Sequence, residues 1–448
     1  MKKLLLLFTA AVLTAQQRPD IIGQIVGTQK ATIAIADMRG AGRAVEQVAA
    51  VNSTIFRDIE DAAIFKMAPK SMYPLKVPQR PQDFRKPLQY DPNNRNADPW
   101  LMDWSEPPVN ADYLAFGYTA EQDGQLVLFG WLFNVRQPDV AAAQVIGKLY
   151  FGPMDETGAR KVAHEFAADI LKQFGVESLA GSKIYFVSNR SGHKEIWSMD
   201  YDGGNQKQIT SYATITTMPS VSPDATRLAF TSWTPNGPQI LVHSLETLRR
   251  IPFYNPRAGV NQNASYMPDG KQMAFSSSVS GYSQIYIANA DGSNLKRITQ
   301  SRVVEVEPKI NPKTGNDIVF VSGRSGVSPQ LYRMNIEGAD VQRLTTGEGQ
   351  ATNPSWNPQG THVAFAWTRG YDPGNFNIFV MDVATGNYVQ LTSGAGRNEN
   401  PTWAPDGKHI VFASDRGGRM QIWSMLADGT QLRQLTSSGI NEKPVWSK

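Results

Sequence analysis

Five histidines, His164, His193, His243, His362 and His409, are the residues of this 448-residue chain best suited to metal ligation or general acid–base work. Either chemistry needs its groups to converge. No His-x-His or His-Glu-x-x-His spacing occurs, so no zinc site is predicted. His362 and His409 hold the same place in successive repeats, just inside a strand, which marks them as repeated structure. His164 falls mid-helix and off the apolar stripe, a place for surface or interdomain contact. Gly-x-Ser-x-Gly is absent, and nothing converges on a nucleophile. Glu305, Glu307, Glu399 and Glu442 could hold a calcium ion, but isolated surface carboxylates carry no assignment, so the prediction is no metal and no cofactor.

Whatever these residues do, a repeat positions them. Short Pro-aromatic strands recur at Pro219, Ala264, Pro308, Pro354, Pro401 and Pro444, spaced by 43 to 47 residues, the length of a four-stranded propeller blade. In the sixth unit Pro401–Ala404, the Pro405-Asp406-Gly407 turn, His409–Ser414, Gln421–Met425, the Asp428-Gly429 turn and Leu432–Thr436 read as four strands and their turns. The first unit lacks its leading strand. Lys183–Ser188, Glu195–Asp200 and Lys207–Thr210 supply three, and Pro444–Ser447 at the end of the chain supplies the fourth. Pairing them closes a six-bladed ring and hides two open edges. Ile410, Phe412, Ile422 and Trp423, with Ile318, Phe320, Leu331 and Tyr332, are expected between blades, since no blade buries its faces alone.

Ahead of the ring, residues 1–15 have two lysines and an apolar run from Leu4 to Leu13, the pattern of a cleaved export signal. Without cysteine, neither a lipid anchor nor disulfides are expected. Residues 16–30 read as an extended segment and 31–178 as a small α/β domain. In it, Ala31–Asp37 is predicted as a strand and Gly42–Asp61 as a helix with Val45, Val48 and Ile55 inward. A loop-like, proline-rich insertion at 69–99, a three-stranded meander and a helix over Asp155–Phe174 follow. The fold class is thus an α/β domain followed by an all-β six-bladed propeller at 183–448. A net charge of +4, with scattered Lys and Arg, shows no nucleic-acid footprint, and no later stretch is apolar enough to span a membrane.

The residues before each innermost strand should ring one mouth of the channel: Thr217-Met218, Gln262-Asn263, Val306-Glu307, Thr352-Asn353, Glu399-Asn400 and Glu442-Lys443. A polar, concave ring on rigid strands suits capture of a protein segment.

An export signal, a small α/β domain and six P-x-W-S-P-D-G-like units closing on P-x-W-S resemble the TolB family, periplasmic components of Tol-Pal envelope systems. MDYDGGNQ at Met199, NPRAGVNQNASYMPDG and DPWLMDWSEPPVNADYLAFG carry the likeness beyond the generic repeat. The resemblance implies a monomeric periplasmic adaptor without enzymatic activity, serving envelope integrity, cell division and protein import. Its channel mouth would bind the lipoprotein Pal, and other outer-membrane lipoproteins, through Arg257, Asn261, Gln262, Asn263, Val306, Glu307, Thr352, Asn353, Glu399, Asn400 and Glu442. An amino-terminal segment, Arg18–Thr28, would bind TolA through Arg18, Asp20, Ile21, Ile22, Ile25 and Val26, adding a strand to a sheet edge. Two departures stand out: a longer loop before blade three, and Ala264 where proline is usual. The rival reading is a secreted propeller hydrolase or lyase acting on polysaccharide or peptide, with channel carboxylates as acid and base.

Overall fold

A computed structural model describes residues 30–87, 98–326, 328–370 and 372–448. The export signal and the segment Arg18–Thr28 lie outside the described residues.

The first layer is a mixed sheet of β1 (Ala31–Ile35), β2 (Arg39–Gly40), β3 (Phe65–Met67), β4 (Tyr113–Gln122), β5 (Gln125–Asn134) and β6 (Gln144–Gly152). Its order is β3-β1-β4-β5-β6, with β2 beside the later residues of β4. β1 runs parallel to β3 and β4, while β4, β5 and β6 form the antiparallel meander. Period-two alternation sends Ile33 and Ile35 to one face and Ala34 to the other. Helices Val48–Asp61 and Glu156–Gln173 cover the first face through Val51, Ile55, Val162, Phe166 and Ile170. Asp155 starts the second helix by accepting the Gly158 N–H at 2.8 Å, and Gly175 follows its end at φ +71°.

Two expectations change here. Gly42–Gln47 is a 3-10 turn rather than the start of the α-helix. With about three residues per turn instead of 3.6, the stripe rotates. Val45 is left 57% exposed, and burial passes to Val51, Thr54, Ile55, Asp58 and Ile59. The proline-rich stretch is also more than a loop, because Tyr73, Val77 and Phe84, with Leu101 and Trp104 behind them, cover the second sheet face on Leu114, Phe116 and Phe133. Phe84 stacks on Phe133 with centroids 5.6 Å apart. Prolines lack the N–H that would extend a ladder, which suits a cover lying across strands without pairing to them.

Six four-stranded antiparallel sheets form the rest. The innermost strands are Thr216–Val221, Asn261–Tyr266, Glu305–Ile310, Ala351–Trp356 and Asn398–Trp403 for blades two to six, and Asn441–Ser447 for blade one. That last strand pairs with Lys183–Ser188, Asn441 opposite Ser188 and Ser447 opposite Lys183, so the ring closes as the sequence predicts. Ile410, Phe412, Ile422, Ile318, Phe320 and Leu331 are fully buried between neighbouring blades. Trp423 is only half-buried and lies under the Arg416 guanidinium, 5.1 Å from its ring centroid. The fourth strands are too short to pair every donor of the third. Thr210, Thr299, Thr345, Thr392 and Thr436 make up the deficit, their hydroxyls accepting the N–H of Ile196, Ile285, Leu331, Ile378 and Ile422 at 2.8 to 2.9 Å.

The α/β layer sits against turns of blades one and six. Arg433 reaches Asp61 at 2.5 and 2.6 Å, Arg160 bonds Asp202, and the Tyr201 hydroxyl donates to Asp58. These contacts use a turn between third and fourth strands and the first residue of a fourth strand, so the layer lies at the end of the ring opposite the starts of the innermost strands.

Candidate functional site

Each innermost strand is irregular at its third residue, where pairing to the second strand skips. Those six residues, Met218, Asn263, Glu307, Asn353, Asn400 and Lys443, all take positive φ, between 50° and 59°. A bulge re-aims the side chain at that position. Here it turns all six toward the axis, where they line a cavity of ≈ 70 Å³ together with Lys309, Thr402 and Val445. Glu307 accepts the Asn353 N–H at 2.7 Å and its carboxamide at 3.1 Å. Lys309 keeps some solvent contact within the channel, yet desolvation lowers its pKa; the Glu307 charge opposes that and Lys443 adds to it.

The mouth is the start of the same strands. The residue before each strand, Ile215, Val260, Val304, Gln350, Arg397 or Ile440, gives its carbonyl to an N–H at or just past the end of the second strand, at Trp233, Ser278, Gly323, Thr368, Asp415 and Asn189. Connectors and second-to-third-strand loops therefore share one rim. Ile215, Val304 and Ile440 stand 45%, 51% and 42% exposed there, with Trp233, Val279 and Tyr282 outside them.

The residues expected at the mouth divide accordingly. Asn263, Glu307, Asn353 and Asn400 converge on the waist of the channel, inside the strands rather than ahead of them. Gln262, Val306, Thr352, Glu399 and Glu442 are partly buried one step nearer the mouth. Burial pushes the Glu399 carboxyl up, and Glu442 takes a hydrogen bond from Lys194 at 2.5 Å. Asn261 departs from expectation: it is wholly buried, giving its carboxamide to Gln239 at 2.8 Å and to the Pro256 carbonyl at 3.0 Å. As the first residue of its strand, its side chain turns into the blade and clamps the connector. Arg257 is exposed on that connector and does not join the waist. Missing from the expected set were Lys309 and the apolar rim. Both were signalled by their place in the repeat, Lys309 where other blades carry Ser, Thr or Val, and the rim immediately before each strand.

The TolB beta propeller domain, PD40, matches residues 172–370 and 347–448. The chain belongs to this TolB propeller family. The TolB homolog of Chlorobium luteolum is 34% identical over 229 residues, covering 51% of this chain and 50% of that protein. The Tol-Pal system protein TolB of Bordetella pertussis is 33% identical over 237 residues, 52% and 51% of the two chains. The chain thus spans about half the length of the curated relatives it matches. TolB from Acinetobacter baumannii superposes with a TM-score of 0.75 over 94% of this chain and 97% of its own at 22% identity, a likeness of fold.

In this TolB-family ring the four calcium candidates do not form one group. Glu305 is fully buried against Arg324 at 2.5 Å, Glu307 is bonded to Asn353, and Glu399 and Glu442 belong to blades six and one. Among the described residues, no three His, Cys, Asp or Glu side chains are grouped to hold a metal. His164 Nδ1 lies 2.6 Å from the Asp58 carboxylate, both on helices of the α/β domain where Tyr201 of the ring meets them, and His362 and His409 are buried at the starts of their strands. No helix of the described residues is long and apolar enough to cross a membrane.

Proposed function

We propose that this chain is a non-enzymatic periplasmic adaptor of a Tol-Pal envelope system, binding Pal at the channel mouth and TolA through Arg18–Thr28, and so supporting outer-membrane integrity and constriction during division. The observation that carries the first half is the rim. Ile215, Val304, Ile440, Trp233, Val279 and Tyr282 expose apolar surface around a polar channel, at the end of the ring away from the α/β layer. Exposed apolar surface rimmed by polar groups is what a protein partner covers. Rigid strands behind it keep the ordering cost of docking small. Family membership and the name of the Bordetella relative favour Pal over another protein.

Capture from envelope extract tests both halves. Val304→Asp with Ile440→Asp should weaken Pal binding by about 2 kcal/mol or more, roughly 30-fold, and leave TolA capture intact. Deleting Arg18–Thr28 should do the reverse. Loss of both partners in either variant would mean that the two sites are not separate. A hydrolase or lyase would retain neither protein and would turn over polysaccharide or peptide.

A further inference from the structure

Six copies of one strand make each departure from the repeat visible. Two places past the bulge, blades two, three, five, six and one carry Ser220, Ser265, Ser355, Thr402 and Val445; blade four carries Lys309. At the bulge itself, blades three, five and six use Asn263, Asn353 and Asn400, a residue type that visits the left-handed region readily. Blades one and four put Lys443 and Glu307 there instead, at φ +50° and +55°. Long side chains visit that region less readily than Asn does.

The charged groups at the waist are unevenly engaged. Glu307 is already committed to the backbone and carboxamide of Asn353. Lys309 and Lys443 both line the cavity, and among the described residues neither ammonium has a hydrogen-bond or ion-pair partner. Asn400 faces the same space, and among the described residues nothing engages its carboxamide. Asn263 gives its carboxamide N–H to the Met218 sulfur at 3.1 Å and leaves its buried oxygen without a partner. Turning that group over would present a donor in place of the oxygen. Two ammonium groups without a partner among the described residues, beside a Glu307 carboxylate spent on Asn353 and a Glu399 carboxyl that burial pushes up, repel a divalent cation and attract an anion. A cavity of ≈ 70 Å³ admits a carboxylate and its methylene, and falls far short of a sugar or a drug-sized ligand.

We propose that the channel waist is a binding site for a single carboxylate, held between Lys309 and Lys443 with Asn400 as a further donor, and supplied either by a free small monocarboxylic acid or by an acidic side chain of a docked protein segment. The first source is independent of the docking reading above, and the second rests on it. A probe that is not a protein keeps the two separable.

The experiment is fluorine NMR of trifluoroacetate with the full chain at fixed ionic strength. Saturable broadening is expected, displaced by acetate and not by acetamide. Lys309→Ser and Lys443→Asn restore residues that other blades carry at the same positions, so the ring has precedent for both. Each should weaken binding at least about tenfold, the worth of one hydrogen bond to a charged group. Lys271→Met, at an exposed turn, should leave binding unchanged. A blocked glycine-rich peptide with one Glu that competes where its Gln counterpart does not would assign the carboxylate to a docked segment, and competition by acetate alone would assign it to the free acid. The proposal falls if neither trifluoroacetate nor the Glu peptide binds saturably, if both lysine variants bind as well as the parent, or if acetamide competes as well as acetate. Pal capture by the same variants is read separately and decides the docking reading alone.

Discussion

Glu305 is a fully buried charge in a place where neighbouring blades are neutral. At the first position of the innermost strand, blades one and six carry Asn441 and Asn398, which receive Arg190 and Arg416 at 3.0 and 2.7 Å. Blade four keeps the arginine as Arg324 and replaces the amide with a carboxylate. Removing one partner of a buried pair strands the other, so Arg324→Leu should cost about 3–5 kcal/mol in urea unfolding. Combined with Glu305→Asn, most of that loss should return. If the double variant is no more stable than the single one, the cost lies in packing on Phe320 and the electrostatic account fails. At this scale the sequence was legible where a residue type repeats, as for His362 and His409, whose burial at strand starts follows from register. It was less legible for Asn261, because a side chain at the first strand position and one at the third differ in sequence only by two places and in space by which side of the blade they enter.

Among elements, the closing strand matters most to the ring. Asn441–Ser447 pairs along the whole of Lys183–Ser188, and Trp446 donates its indole N–H to Ser182 at 2.9 Å. Deleting residues 441–448 leaves Lys183–Ser188 as an unpaired edge of blade one. The thermal midpoint should fall by more than roughly 10 °C, and amide exchange should lose protection first at Lys183–Ser188. Retained protection there would show that the strand is dispensable. A smaller test concerns the helix Glu156–Gln173, where Asp155→Ala removes the acceptor for the Gly158 N–H and should cost about 1 kcal/mol. The helix was readable from Val162, Phe166, Ile170 and Phe174, four residues apart, and from Gly175 as its stop. The proline-rich cover was not, because it has no period of its own and its apolar residues find their place only against a sheet face formed by β4 and β5.

For the whole molecule, the contact between the α/β layer and the ring is built on titratable groups. Asp58 and His164 on the two helices meet Tyr201 of blade one, with Asp202, Arg160 and Arg57 alongside. Burial raises the Asp58 pKa against the pull of His164 and Tyr201. Burial opposes protonation of His164, but the hydrogen bond to Asp58 and its charge outweigh that and raise the histidine as well. Both groups hold protons more tightly folded than unfolded. The contribution of His164 is therefore full below its unfolded value, about 6.5, and is lost as pH rises through its higher folded value. Unfolding midpoints measured upward from about pH 6.5 should fall with pH, and His164→Asn should flatten the slope. An unchanged slope in that variant would place the pH dependence elsewhere.

The sequence by itself determined the repeat, the count of blades and the closure of the ring by its last strand. Each of these depends on local turn chemistry and period-two patterning, which any single unit displays. Only the tertiary structure decided which face of each innermost strand meets the axis. The bulge shifts register by a residue, and a shift of one residue reverses every side chain beyond it. That reversal, invisible in one strand, brings Lys309, Lys443 and Glu307 from two different blades to one cavity.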